Sequence, residues 1–474
     1  MSPGRASTNL GFLASFAAVA LATLVTIARS TPEFDRCAES AFLGRAMLSG
    51  GAIAYAFGPE TAAVSAPGGA IGWLAAIVHA WLVATPLGLA TCAMLVAGSA
   101  VGCFALVALR ARALAPAPFA IAAVLVVFAT SLDALHIGGS TAVLFFTAAF
   151  VAALDLPTPA GIALATAVAI AWCNVDASGV LAPVLAGASL AGRAFGDRAA
   201  PGLRAGSFVF AAAIVALFAT PSGIAYPSLA FASLRLMGKF GDTIAWAPVD
   251  VAPVAYHVGF TALVVAALAL GVRARGPREA ILSLVAIALA LGNGALLPIA
   301  AIVAGPTLAV AAADLFRARA TADDRAFVTK SGMVGSLVAI AVIAIAGSFV
   351  VGSRVVAETA ISNEPQRSLR ALAKRSDIGR VACSDVVWCD GAVAFGLHVL
   401  ADDRIGAMPT AVRRAQARIA RARVGWRGDI GRYGVDAIAT TPRTALATLL
   451  VELGWTRVSR AGPVAVYVRP RGGS

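Results

Sequence analysis

Between residues 10 and 352 the chain repeats one pattern: apolar runs long enough to fill a bilayer, broken by short loops that carry arginine. Inside lipid a segment must satisfy its own backbone hydrogen bonds, so such runs can only be helices unless they close a barrel, and they lack the alternation a barrel strand needs. The pattern predicts an α-helical polytopic membrane protein with about 11 spans: 10 to 29, 88 to 109, 117 to 133, 140 to 154, 158 to 174, 178 to 193, 205 to 221, 255 to 272, 279 to 293, 295 to 314 and 331 to 352. The first run is long, and no small-x-small site precedes the charged loop after it. It is therefore expected to stay as a helix rather than be cleaved as a signal peptide.

Composition excludes a soluble chain of this length: 59% of residues are hydrophobic, 13% are charged, and the mean hydropathy is +0.86. The net charge of +13 would suggest nucleic-acid binding in a soluble protein. Here the arginines fall in loops instead: Arg110 and Arg112; Arg193, Arg198 and Arg204; Arg273, Arg275 and Arg278; Arg317, Arg319 and Arg325 with Lys330. Such clusters mark cytoplasmic loops, and no nucleic acid is expected as a partner. All of them share one face if the N-terminus is cytoplasmic and the segment 70 to 86 does not cross. That segment, with Trp73, His79 and Trp81 before Pro86, suits a helix lying at the outer interface.

Two outer loops follow from this count. Residues 30 to 69 carry Glu33, Asp35, Arg36, Glu39, Arg45 and Glu60; residues 222 to 254 carry Arg235, Lys239, Asp242 and Asp250. From Arg354 the composition becomes that of a soluble domain, and an odd number of spans places residues 354 to 474 outside the membrane, beyond a membrane domain of residues 1 to 353. The periodicity there predicts an α/β fold: a strand RVACSDVVW, a basic helix from Ala411 to Gly434, a strand VDAIATT, a helix TALATLLVELG and two final strands turning at Gly462 and Pro463. The arginines of the basic helix read as a solvated face. Cys383 and Cys389 either close a small disulfide in an oxidising compartment or remain buried thiols at a strand end. Cys92, Cys103 and Cys173 lie in apolar runs, and no cysteine has metal-ligand spacing.

Four segments, in order, resemble a bacterial family of multispan proteins related to the GT-C class of polyprenol-dependent glycosyltransferases. They are the loop FLGRAMLSGGAIAYAFGPETAAVSAPGGAIGWL, the turn AWCNVDASGVLAP with Trp172 and Asn174, the stretch from ATPSGIAYPS to IAWAPVD with Pro221, Gly223, Trp246 and Pro248, and the closing GRYGVDAIATTP with GWTRVSRAGPVAVYVRP. Departures are visible too: Arg36, Cys37 and Ala38 stand where relatives carry tryptophans and a histidine, and Ala245 where a glutamate is usual.

The resemblance implies sugar transfer from a polyprenyl phosphate donor at the outer membrane face. Asp35 matches the position of the family's catalytic acid, as base or as ligand of a divalent metal ion. Glu60, Asp133, His136, Asn174 and Asp176 are further candidates for the substrate site, all expected on the outer side. Arg36, Arg235 and Lys239 would hold phosphate, since guanidinium and ammonium groups pair with phosphate oxygens. The rival expectation is a scaffold or lipid-binding protein that keeps the fold without the chemistry. A transporter fits less well, because no internal repeat is evident.

Overall fold

The computed structural model describes residues 3–29, 54–55, 64–65, 73–83, 88–135, 139–196, 200–239, 277–292, 296–316, 364–401, 410–461 and 464–470. The chain divides into two compact units, residues 1–31 with 90–353 and residues 32–89 with 354–474.

The first unit is helical: α1 (Pro3–Arg29), α3 (Gly88–Leu114), α4 (Ala117–Ser131), α5 (Gly139–Leu154), α6 (Pro159–Val175), α7 (Leu181–Gly196), α8 (Ala200–Phe218), α9 (Tyr226–Lys239), α10 (Pro277–Gly292) and α11 (Leu297–Leu315), with α2 (Trp73–Val83) in the second unit. Nine of the eleven expected spans thus appear as helices, with ends shifted by up to about two turns. The expected spans 255 to 272 and 331 to 352 lie outside the described residues. Among the described residues, Met94–Leu114, Ala177–Gly196 and Leu297–Leu315 are long and apolar enough to cross a membrane singly. A fourth span arises if Gly202–Phe218 and Gly223–Phe231, bent by 109°, form one broken span. The helix α2 has 11 residues, roughly 16 Å of length, and cannot cross alone.

Local chemistry explains the breaks. Thr158 caps α6, its hydroxyl oxygen accepting from the Gly161 amide at 3.1 Å, with Pro159 at the first helical position. Close approach then depends on glycine. A Cβ on Gly305 would sit 2.5 Å from Val127 Cγ2, and one on Gly192 would sit 2.2 Å from the Arg278 Cα, so α11 seats against α4 and α7 against α10 nearly backbone to side chain or backbone. Exposed Leu21, Leu125, Leu164, Phe208 and Val215 point away from these contacts, as side chains facing lipid do.

Arg110, Arg193 and Arg278, assigned by charge to one face, converge at one end of the bundle. Arg110 Nε donates to Asp155 Oδ2 at 2.6 Å and Nη2 to Glu279 Oε2 at 2.7 Å. Arg278 Nη1 lies 3.1 Å from Glu279 Oε1 and 2.7 Å from Asp155 Oδ1, the second contact being too poorly aligned for a hydrogen bond and chiefly Coulombic. Burial would raise the Asp155 carboxyl, but Arg110 and Arg278 outweigh it and hold the group below the usual carboxylate range. Arg112, almost fully buried, sits 5.8 Å over the Phe12 ring, which brings the N-terminal half of α1 to the same end.

In the second unit, Ala54–Tyr55 (β1) pairs antiparallel with Val64–Ser65 (β2). Residues 364 to 470 build a four-stranded mixed sheet, order β3-β4-β6-β5, from Val381–Cys383, Ala437–Thr440, Val464–Val468 and Thr456–Ala461. Strands β3 and β4 are parallel, and the β5–β6 hairpin is antiparallel. Alternate residues feed two cores. Ile438, Ala465 and Tyr467 face Val412, Ile419, Trp426 and Leu450, while Ala437, Ala439, Val464 and Val466 face Leu369, Leu372 and Val393. Helices α14 (Thr410–Ala420), α15 (Trp426–Arg432) and α16 (Ala445–Glu452) cover one face, and α12 (Glu364–Ala373) with α13 (Val386–Ala394) cover the other.

Two local expectations are corrected here. The strand RVACSDVVW stops at Cys383 and becomes α13 at Val386, because the chain must leave the sheet to cover its second face. The basic helix splits at Gly425 (φ 90°), and Arg418 of α14 grips Asp429 of α15 with hydrogen bonds of 2.7 and 2.8 Å across the break. Cys383 and Cys389 form a disulfide with a Cα separation of 5.7 Å, so the free-thiol alternative does not hold.

Candidate functional site

The end of the bundle opposite the arginines is organised by the turn between α6 and α7. Helix α6 runs from Pro159, beside Asp155, to Val175, beside Asp176; its 17 residues separate the two ends by roughly 25 Å. Asp176 closes α6 and opens a short 3-10 turn, Ala177–Val180, in extended conformation. Its Oδ1 accepts from the Ser178 amide at 2.7 Å, and the Ser178 hydroxyl accepts from the buried Trp172 indole at 3.0 Å. Gly179 is required here, since a Cβ would lie 2.5 Å from the Cys173 Cα. The chain then tightens on itself because Trp172 fills the space that the turn encloses.

Two further elements dock on this turn. The Asn174 amide donates to Ile170 O at 2.8 Å and to Ala219 O at 3.0 Å, which ties the end of α6 to the end of α8. The chain bends by 109° through Thr220 to Ala225, and Tyr226, the first residue of α9, donates from its buried hydroxyl to Asp176 O at 3.0 Å. Helix α9 therefore leaves the bundle direction at the level of Asp176. Arg235 and Lys239 stand one turn apart on it, and Arg235 is roughly 14 Å along the helix from Tyr226.

Asp133, in the 3-10 turn Leu132–Ala134 after α4, belongs to the same end, because α5 and α6 form a hairpin whose other end is the Asp155 turn; Thr141 Oγ1 donates to Ala134 O at 2.9 Å across that loop. Asp35, Arg36, Glu60 and His136 lie outside the described residues, as do the side chains of Asp133, Arg235 and Lys239. The structure thus places Asp176, the turn carrying Asp133 and the first residue of the helix carrying Arg235 and Lys239 at one end of the bundle, with the Tyr226–Asp176 hydrogen bond joining that helix to the Asp176 turn. Asn174 spends both amide hydrogens on backbone carbonyls and is 5% exposed. It positions the turn.

Among the described residues no group of three His, Cys, Asp or Glu side chains gathers to hold a metal ion, and Asp176 Oδ1 is already committed to an amide. The described residues do not make a metal centre, so no step is derived through one. The residues that sequence reasoning missed are Tyr226, Ser178, Asp155 and Glu279. Tyr226 had a signal, the proline-glycine bend just before it; Asp155 had one too, an acid in a Pro-Thr-Pro turn at the arginine end of a hairpin.

No protein-family model matches the sequence, and no curated protein matches it either. The three-dimensional structure does find likenesses. The oligosaccharyltransferase AglB of the archaeon Archaeoglobus fulgidus, solved with an inhibitory peptide and a dolichol-phosphate, superposes over 91% of this chain and 69% of its own, with TM-score 0.53 at 11% identity. The fold is GT-C-like. A fainter likeness, TM-score 0.43 at 13% identity over 98% of both chains, is to ArnT from Cupriavidus metallidurans bound to undecaprenyl phosphate. At 11% identity the likeness is one of fold alone.

Proposed function

We propose that the protein is a membrane glycosyltransferase of GT-C type, which takes a hexosyl or pentosyl group from a polyprenyl phosphate donor at the outer face of the cytoplasmic membrane. The observation that carries this reading is the fold shared with an oligosaccharyltransferase over nine-tenths of the chain, joined to a polar turn and an out-turned basic helix at one end of the bundle. On this reading residues 1 to 353 form the membrane domain with about 11 spans, the N-terminus is cytoplasmic, and residues 354 to 474 form an exported domain that shapes acceptor entry. The Cys383–Cys389 disulfide supports an oxidising location for that domain.

In the proposed reaction Asp35 takes the acceptor's proton as the acceptor oxygen bonds to the sugar's anomeric carbon. The bond from that carbon to the phosphate oxygen breaks, and the electron pair leaves with the lipid phosphate. Arg235 and Lys239 neutralise that developing charge, the role cations play best in a site with little water. The turns that carry Asp133 and Asp176 lie at this end of the bundle, and Tyr226 ties the start of the helix that carries the cations to it. A second reading, a non-catalytic scaffold or lipid-binding protein, is favoured by the full use of Asn174 and of Asp176 Oδ1 in holding the turn.

Membranes containing the protein, supplied with labelled polyprenyl phosphate sugars, separate the two. Transfer by the wild type, lost in Asp35→Asn with insertion intact and reduced less in Asp133→Asn, supports the enzyme. Transfer unchanged in Asp35→Asn removes Asp35 from the mechanism, and no transfer from any donor supports the scaffold.

A further inference from the structure

At the arginine end of the bundle, roughly 25 Å from the proposed reaction site, a crevice opens between the ends of α5, α7 and α8. Its walls are mostly small or apolar, with Leu156, Pro157 and Val209 at its sides, and Ser189 and Arg193 facing it from one side of α7. Arg193 reaches across to the carbonyl oxygens of Leu154 and Gly202, so its hydrogen bonds tie three helices without meeting a carboxylate. Arg278 enters from α10, donating from Nε to the Ser189 hydroxyl at 2.8 Å, one helical turn from Arg193. Its Nη2 is buried and has no hydrogen-bond partner. Arg204, exposed beside Ala205 on α8, adds a further positive charge at this end.

Among the described residues the cations at this end outnumber the acids. Three guanidinium groups, Arg110, Arg193 and Arg278, face two carboxylates, Asp155 and Glu279, and both carboxylates are engaged by Arg110 and Arg278. Like charges placed side by side near hydrocarbon are costly without an anion between them. The surroundings specify which anion. Leu156 in the loop after α5, Phe195 on α7 and Phe208 on α8 are exposed apolar residues that suit acyl chains. A basic recess between spans beside an apolar surface is what an anionic lipid headgroup requires.

We infer that the mouth of this crevice binds the phosphate of an anionic phospholipid of the adjoining leaflet, with Arg193 holding the phosphate oxygens, Arg204 and Arg278 adding positive charge beside it, and the exposed Leu156 and Phe208 flanking an acyl chain. The lipid completes the charge of the buried cluster and braces the ends of α5, α7, α8 and α10. Nothing in this inference depends on glycosyl transfer.

The test is thermal unfolding of the full chain in a neutral detergent, with added phosphatidylglycerol, phosphatidylcholine or inorganic phosphate. Phosphatidylglycerol should raise the midpoint by about 2 °C or more, as a ligand selective for the folded state does, while the other two leave it in place. Arg193→Gln should lose most of that shift, whatever its own midpoint. Leu156→Glu places an acid on an exposed position without disturbing any hydrogen bond named here, and should lose the shift while folding normally. An equal phosphatidylglycerol shift in both variants, or none in the wild type, overturns the inference. A shift of the same size with inorganic phosphate replaces the lipid with a free anion and overturns it as well.

Discussion

The hydroxyl oxygen of Tyr226 lies 3.0 Å from the backbone carbonyl oxygen of Asp176, across 50 residues of sequence. That bond fixes where the chain ends its run through the bundle and turns 109° aside, and so fixes the level at which Arg235 and Lys239 emerge. The Tyr226 ring is 1% exposed, so its removal is not repaired by water. Tyr226→Phe keeps the packing but removes this hydrogen bond, leaving the Asp176 carbonyl with the Gly179 amide at 3.1 Å as its donor. It should cost about 0.5–1.5 kcal/mol, seen as a lower midpoint of thermal unfolding in detergent. A midpoint equal to wild type would show that α9 is held by packing alone.

Gly179→Ala tests the same turn from the other side. The added Cβ would meet the Cys173 backbone at 2.5 and 2.6 Å, and backbone cannot swing away as a side chain does. A loss of about 1–3 kcal/mol is expected, with reduced yield of folded protein in membranes. Gly428→Ala, where a Cβ meets nothing within 4 Å, is the comparison and should stay close to wild type.

Asp155→Asn should destabilise the arginine end by about 2–3 kcal/mol, less than a fully buried pair because its side chain is 30% exposed. The pH dependence follows from the lowered carboxyl. A group more acidic in the folded state contributes stability above its unfolded pKa of about 3.9 and loses it as pH falls through the still lower folded value. Unfolding midpoints measured from pH 6 down to pH 3 should therefore drop more steeply for wild type than for Asp155→Asn. Parallel curves would separate Asp155 from the acid sensitivity.

Residues 383 and 389 are six apart, and closing so short a loop stabilises the domain by about 2 kcal/mol in the loop-entropy account. Cys389→Ser should lower stability by that amount under oxidising conditions and by little under reducing ones. The same bridge reports topology. Peptide mapping of protein from intact cells, with free thiols blocked before lysis, should recover the disulfide if the domain is exported. Recovery of two blocked thiols, together with a reporter after Ser474 that is active only in the cytoplasm, would reverse the orientation.

Much of the helical unit could be read directly from residue order. A bilayer forces each apolar run to satisfy its own hydrogen bonds, so span positions follow from local composition, and the described helices fall within about two turns of the expected ones. Charge in the loops likewise predicted a shared face for Arg110, Arg193 and Arg278. Residue order also carried the resemblance in fold, through motifs whose spacing is local, such as the Trp172–Asn174 turn and the proline-glycine bend before Tyr226.

Tertiary structure alone decided which groups meet. Asp155 and Glu279 are separated by 124 positions yet share Arg110, and no periodicity in either segment names the other. Asn174 looks like a ligand by residue type, but its donors go to carbonyls that only helix packing brings near. The strand after Arg380 stops where it does because α13 must cross to the second face of the sheet, a demand set by strands 50 to 80 residues later. Local sequence dictates elements because backbone and solvent act on neighbours. It leaves side-chain partnership open, because distance in space is set by how many distant elements pack at once.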